Sequence, residues 1–215
     1  MSDQLNIREI VKNLEKKVRE KPTDVAIMLT LGQYYYLQGR FQEAINTYEK
    51  ILQIEPGFPL VHYHLGLSYF RAANLGKAKE SMQQVIKLDE DFTMAYYWLG
   101  LITYRAGENA QAIEALKKCL EKDSGHLIAF DDLAVIYMSL RQHRKAIQAL
   151  EKLIKAYPDH AAGYFHLGMA YTHLERYHEA LYHFRKTIEL NPEDCEARRM
   201  IEALTEFTEY PDGPI

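Results

Sequence analysis

The sequence predicts an all-α chain, a solenoid of five helix-turn-helix repeats with a further helix capping each end. Three observations carry this prediction. A period of 34 runs through the sequence without insertion, apolar residues inside each period follow helical spacing, and small residues recur where two helices must approach closely. Repeats of this kind contact only their neighbours, so the terminal ones need polar caps.

The period is read from fixed slots. Gly32, Gly66, Gly100 and Gly168 are spaced by multiples of 34, with Ala134 in the remaining slot. Leu31, Leu65, Leu99, Leu133 and Leu167 precede them. Three positions later come Tyr35, Tyr69, Thr103, Tyr137 and Tyr171, and twelve positions later Ala44, Ala78, Ala112, Ala146 and Ala180. The repeats are placed at 25–58, 59–92, 93–126, 127–160 and 161–194.

Each repeat reads as two helices. In the first, 26–37 form one helix, Gly39 and Arg40 the turn, and 41–54 the second. Pro56 ends it, because proline lacks a donor and disfavours helix in the residue before it. Gly39 and Gly107 suit a left-handed helix cap. Residues 1–24 hold an N-terminal half repeat. Within it, 8–21 read as a lone second helix, with Ile10 and Leu14 in the alanine and aromatic slots and Pro22 in the proline slot. Residues 195–208 read as a capping first helix whose Arg198, Arg199, Glu202 and Glu206 supply polar surface, and 209–215 as a flexible acidic tail.

With these residues placed, the chain resembles the tetratricopeptide repeat (TPR) family over 25–194. The family pattern is an aromatic, Leu-Gly, Tyr, Ala, an aromatic and Pro. The fifth repeat follows it best, with Tyr164, Leu167-Gly168, Tyr171, Ala180, Phe184 and Pro192. The fourth departs at Ala134, and Glu90 and Ser124 stand in the proline slot that Pro158 keeps. The resemblance implies a right-handed α-solenoid whose concave groove receives peptides. Family members that bind chaperones carry a two-carboxylate clamp of Lys, Asn and Arg. The matching places here are Leu29, Gln33, His64, Met94 and Trp98, so that clamp is missing and a ligand ending in a free acidic C-terminus is disfavoured.

Composition narrows the function further. Of 215 residues, 47% are hydrophobic and 26% charged, enough apolar material for a sizeable core. A net charge of −4 argues against a nucleic-acid binder, which needs a concentrated basic face. The acidity is local: 191–215 hold seven acids and two bases, a net of −5, leaving the rest of the chain at +1. Cys119 and Cys195 have no paired spacing, so neither a disulfide framework nor a zinc site is indicated. Cys119 sits between Leu116 and Leu120 as expected inert core. No signal peptide or apolar membrane-spanning run is visible, so a cytoplasmic protein is the expectation.

Helical geometry locates the face left for a partner. Advancing 100° per residue, the signature slots 4, 7, 8 and 11 of each first helix share one face, and slots 2, 5, 9 and 12 lie roughly opposite. That second face is apolar. Repeat two offers Leu60, Tyr63, Leu67 and Phe70, and repeat three Met94, Tyr97, Leu101 and Tyr104. Repeat four offers Ile128, Asp131, Val135 and Met138, and repeat five Ala162, Phe165, Met169 and Thr172. Repeat one, with Ala26, Leu29, Gln33 and Tyr36, is mixed. Slot 2 is expected to be partly ordinary core. The expected peptide-binding groove is therefore Tyr36, Tyr63, Leu67, Phe70, Tyr97, Leu101, Tyr104, Val135, Met138, Phe165 and Met169. Arg71 and Arg105 border it to meet a carboxylate or carbonyl, and Asp131 to meet a base.

No catalytic motif, phosphate loop or metal-ligand spacing appears, and the repeats occupy the chain, so no enzymatic activity, cofactor or metal is expected. The expected function is an adaptor or assembly chaperone binding an apolar or amphipathic segment of a protein or peptide partner. The alternative is a self-assembling structural scaffold that oligomerises through the same groove or its terminal repeats. Monomer or homo-oligomer is left open.

Overall fold

The computed structural model describes residues 2–209, with side chains for 7–207. Of the expected tail, 210–215 lie outside the described residues. The described residues form twelve α-helices and no strand: an all-α repeat solenoid. The chain divides into two compact units, Met1–Lys118 and Cys119–Ile215, with the boundary inside a helix.

The first unit contains α1 (Ser2–Glu20), α2 (Val25–Leu37), α3 (Phe41–Ile54), α4 (Pro59–Arg71), α5 (Leu75–Leu88) and α6 (Thr93–Arg105). It also contains most of α7 (Asn109–Lys122). Each helix packs on the next from α1 through α6. The second unit contains α8 (Leu127–Ser139), α9 (His143–Ala156), α10 (Ala161–Thr172), α11 (Tyr177–Leu190) and α12 (Cys195–Glu209), again packed in chain order.

Capping side chains start several helices. Asp24 accepts from the Ile27 N–H at 3.1 Å, Asn74 from Lys77 at 3.2 Å and Asp194 from Ala197 at 2.9 Å, each satisfying an otherwise orphaned donor. Pro59 opens α4, where a missing N–H costs nothing. Between the helices of each pair the chain turns through one left-handed residue, at Gly39, Ala73, Gly107, Arg141 and Glu175. Three of these five are not glycine, which is why only Gly39 and Gly107 could be read as caps. The φ of 60° at Ala73 strains an exposed residue. Ala73→Gly is therefore expected to raise stability by about 1 kcal/mol in urea unfolding, the reverse of the usual Ala-to-Gly sign.

The glycine slot has a direct steric cause. A Cβ on Gly32 would lie 2.6 Å from the Tyr48 ring, on Gly66 2.8 Å from Met82, on Gly100 2.7 Å from Leu116 and on Gly168 2.6 Å from Phe184. These four partners, each on the second helix of its pair, are fully buried. They hold the two helices of each pair at backbone-to-side-chain contact.

A second device recurs at the tyrosine slot. Tyr69 donates to Glu49 at 2.5 Å, and Tyr35 donates to Glu15 at 2.8 Å across the same sequence interval. By this bond α1 stands to α2 as α3 stands to α4. Burial, helped by Glu15, pushes the Tyr35 phenol up to about 12. Cations lie over the same rings: Arg40 at 4.4 Å from Tyr35, Lys77 at 5.2 Å from Tyr69 and Arg176 at 4.8 Å from Tyr171. Cys119 is fully buried, and burial together with nearby Asp123 pushes its thiol up to about 11, consistent with inert core.

Candidate functional site

In the first unit the expected binding face is built by α2, α4 and α6. Its apolar slots exist because these helices are apolar nearly all round and only one side is needed to pack on the second helix of the pair. Tyr36, Tyr63, Leu67 and Phe70 pack along the edge of the core while staying partly open, and Leu101 and Tyr104 are likewise half-buried. Tyr97 is the exception: it is 8% exposed, its ring edge-on to Trp98 at 5.8 Å. The expectation that it belongs to the free face is corrected, because that stretch of α6 is covered.

The face is organised by ring contacts. Tyr63 meets Phe92 at 5.1 Å, and Phe70 meets Trp98 edge-on at 5.5 Å, tying α4 to α6. The exposed Arg105 lies over Phe70 at 5.1 Å, and the exposed Arg71 over Phe41 at 5.3 Å, with Tyr36 edge-on to Phe41 at 5.6 Å. Neither arginine has an acidic partner among the described residues. Arginine stacked on a ring keeps its in-plane N–H groups free for an outside carboxylate or carbonyl. Gln33 reaches His64 at 3.2 Å, and burial lowers the His64 pKa and raises that of Tyr63. The interior edge of this face is therefore uncharged, and its charge sits on the two arginines.

In the second unit, α8 and α10 carry Asp131, Val135, Met138, Phe165 and Met169, all half-buried. Asp131 does not wait for a partner's base: its carboxylate is 2.6 Å from His166 Nδ1. Phe165 leans on Phe184 at 5.6 Å. The same unit holds a half-buried histidine: His183 stacks on Tyr171 at 5.2 Å, and desolvation of its ring depresses its pKa to about 4. A neutral desolvated imidazole that must charge on unfolding loses stability as pH falls from the unfolded value near 6.5 towards about 4. We expect thermal unfolding midpoints to fall across that window, and His183→Phe to flatten the fall.

Two residues of the face were missed by sequence reasoning. Met94 is 38% exposed and Ile128 58%, although slot 2 was expected to be partly core. A signal was available: the same slot holds Ala26 and Ala162, a size range that a packed position rarely tolerates. Among the described residues no three His, Cys, Asp or Glu side chains gather as a metal-holding group, and no helix is long and apolar enough to cross a membrane.

Comparison with known proteins agrees with this architecture. The Tetratricopeptide repeat profile matches 63–126 and 132–194, and a TPR repeat profile matches 32–72. The chain belongs to the tetratricopeptide repeat family. A crystal structure of MamA protein is 29% identical, covering 80% of this chain and 94% of that one, with a TM-score of 0.73. YrrB, described as a TPR protein with an unusual peptide-binding site, is 17% identical, with 88% and 97% coverage and a TM-score of 0.72. The C-terminal part of a TPR repeat-containing protein from Cytophaga hutchinsonii is 17% identical, with 97% and 83% coverage and a TM-score of 0.82. No curated protein matches the chain. The fold and family together define a repeat scaffold for protein interactions, a class that is generally non-catalytic.

Proposed function

We propose that the chain is an adaptor or assembly chaperone that holds an apolar or amphipathic segment of a partner protein. The segment lies against the first helices of the repeat pairs, centred on α4 and α6. The observation that supports this is the half-open shelf of Tyr63, Leu67, Phe70, Leu101 and Tyr104, flanked by Arg71 and Arg105 without acidic partners among the described residues. Half-buried aromatics bordered by free cations fit a segment that alternates apolar anchors with carboxylates or exposed carbonyls. Tyr36 and the exposed Met94 extend the shelf in the same unit. In the second unit Val135, Met138, Phe165 and Met169 form a separate apolar patch on which a further length of partner can rest, with Asp131 orienting His166. A peptide-binding use like that of YrrB is part of this proposal.

The test is capture of the partner from native extract by the wild type and by a variant carrying Tyr63→Ser, Phe70→Ser and Tyr104→Ser. Loss of capture with a melt that stays cooperative, lowered by no more than the sum of the single changes, supports the proposal. Undiminished capture, or a collapsed melt, counts against it.

A further inference from the structure

A second surface lies away from the aromatic shelf. Between α1 and the C-terminal end of α2 there is a cleft of about 740 Å3. Its floor is Val11, its rim Ile7 and Leu37, and Leu37 is 75% exposed, the most open large apolar side chain among the described residues. Four charges border it. Two are engaged within the chain: Glu15 accepts from Tyr35 at 2.8 Å, and Arg40 donates to Glu43 at 2.9 Å. The other two, Arg8 and Lys12, are exposed and have no acidic partner among the described residues. The cleft is thus apolar along Ile7 and Val11 and positive along Arg8 and Lys12. Both rows are spaced four residues apart, about 6 Å along the helix.

The chain itself carries the complementary pattern. Helix α12 buries Ala197 and Leu204 against its own unit. Its other side exposes Glu202 and Glu206 in one row and Ala203 and Phe207 in the next, again four residues apart. Phe207 is 50% exposed, resting one edge on Tyr177 at 5.1 Å. Neither glutamate has a basic partner among the described residues.

We infer that the α1–α2 cleft of one copy receives the exposed face of α12 from a second copy. Arg8 and Lys12 pair with Glu202 and Glu206, and Leu37 and Ile7 cover Phe207. The two surfaces differ, so the contact is heterologous and each copy retains one free cleft and one free α12. Such contacts build rings or open chains rather than closing as a symmetric dimer. Single exposed ion pairs contribute little, so association is weak, depends on the apolar contact, and fades in high salt.

Sedimentation velocity of the full chain over a wide concentration range tests this. The wild type is expected to grow beyond two copies as concentration rises. Leu37→Asp should abolish that growth, and Lys12→Glu and Glu206→Lys should each weaken it by setting like charges opposite one another, with helicity unchanged because all three sites are exposed. A protein carrying Lys12→Glu and Glu206→Lys together reverses one pair and should associate again. Tyr63→Ser, on the aromatic shelf, should leave association intact, which separates this contact from partner binding. A wild type that stays at the mass of one chain throughout, or a charge-reversed protein that fails to recover, overturns the inference.

Discussion

Gly168→Ala is expected to destabilise the protein by about 1–2 kcal/mol, even though alanine favours a helix interior over glycine by about 1 kcal/mol. The added Cβ would fall 2.6 Å from Phe184 Cε1 and 2.7 Å from Cδ1. Phe184 is fully buried, so its ring has nowhere to turn and the helices of the pair must separate. The fourth repeat shows the compatible solution. Ala134 stands in the glycine slot and Leu150 in the aromatic one, both fully buried. A leucine does not open the slot by itself, since Leu116 stands 2.7 Å from a Cβ on Gly100 in the third repeat. Phe184→Leu combined with Gly168→Ala should recover only the part of the loss that a shift of the smaller side chain relieves, and the urea midpoints of the two single variants should not add. Additive losses would show that the slot is not set by this contact.

Tyr97→Ser is expected to cost about 3 kcal/mol, as truncation of a large core side chain does. The same change at Tyr63 or Tyr104 should cost about 1 kcal/mol, since each keeps part of its surface in water on either side of folding. The contrast matters because all three tyrosines belong to the apolar face by sequence. Thermal melts of the three variants separate them directly. If Tyr97→Ser melted with the wild type, Tyr97 would return to the binding face.

Most of the fold was legible. The period of 34 and its glycine, alanine and tyrosine slots point to the repeat helices: α2 begins one residue before the expected 26–37 and α3 spans the expected 41–54, whereas α1 begins at Ser2, six residues before the expected 8–21. Less legible was the turn, because Ala73, Arg141 and Glu175 accept the left-handed conformation that glycine advertises in sequence. The binding face was legible as a helix side but not residue by residue. A 100° rotation says which slots share a side, whereas burial depends on the neighbouring helix. Tyr97 is buried, Ile128 stays open, and Asp131 is hydrogen-bonded to His166. The Asp131–His166 contact joins residues of successive repeats, so no pattern within one repeat encodes it.

The central claim is that the half-open shelf on α4 and α6 holds the partner. Its most direct measurement is binding of the captured partner by titration against the wild type and the variant with Tyr63→Ser, Phe70→Ser and Tyr104→Ser. Anchors of this kind contribute roughly 2 kcal/mol each, so the variant should bind at least about a hundredfold more weakly with its melt retained. Equal affinity in the two folded proteins would contradict the account and place the binding surface elsewhere.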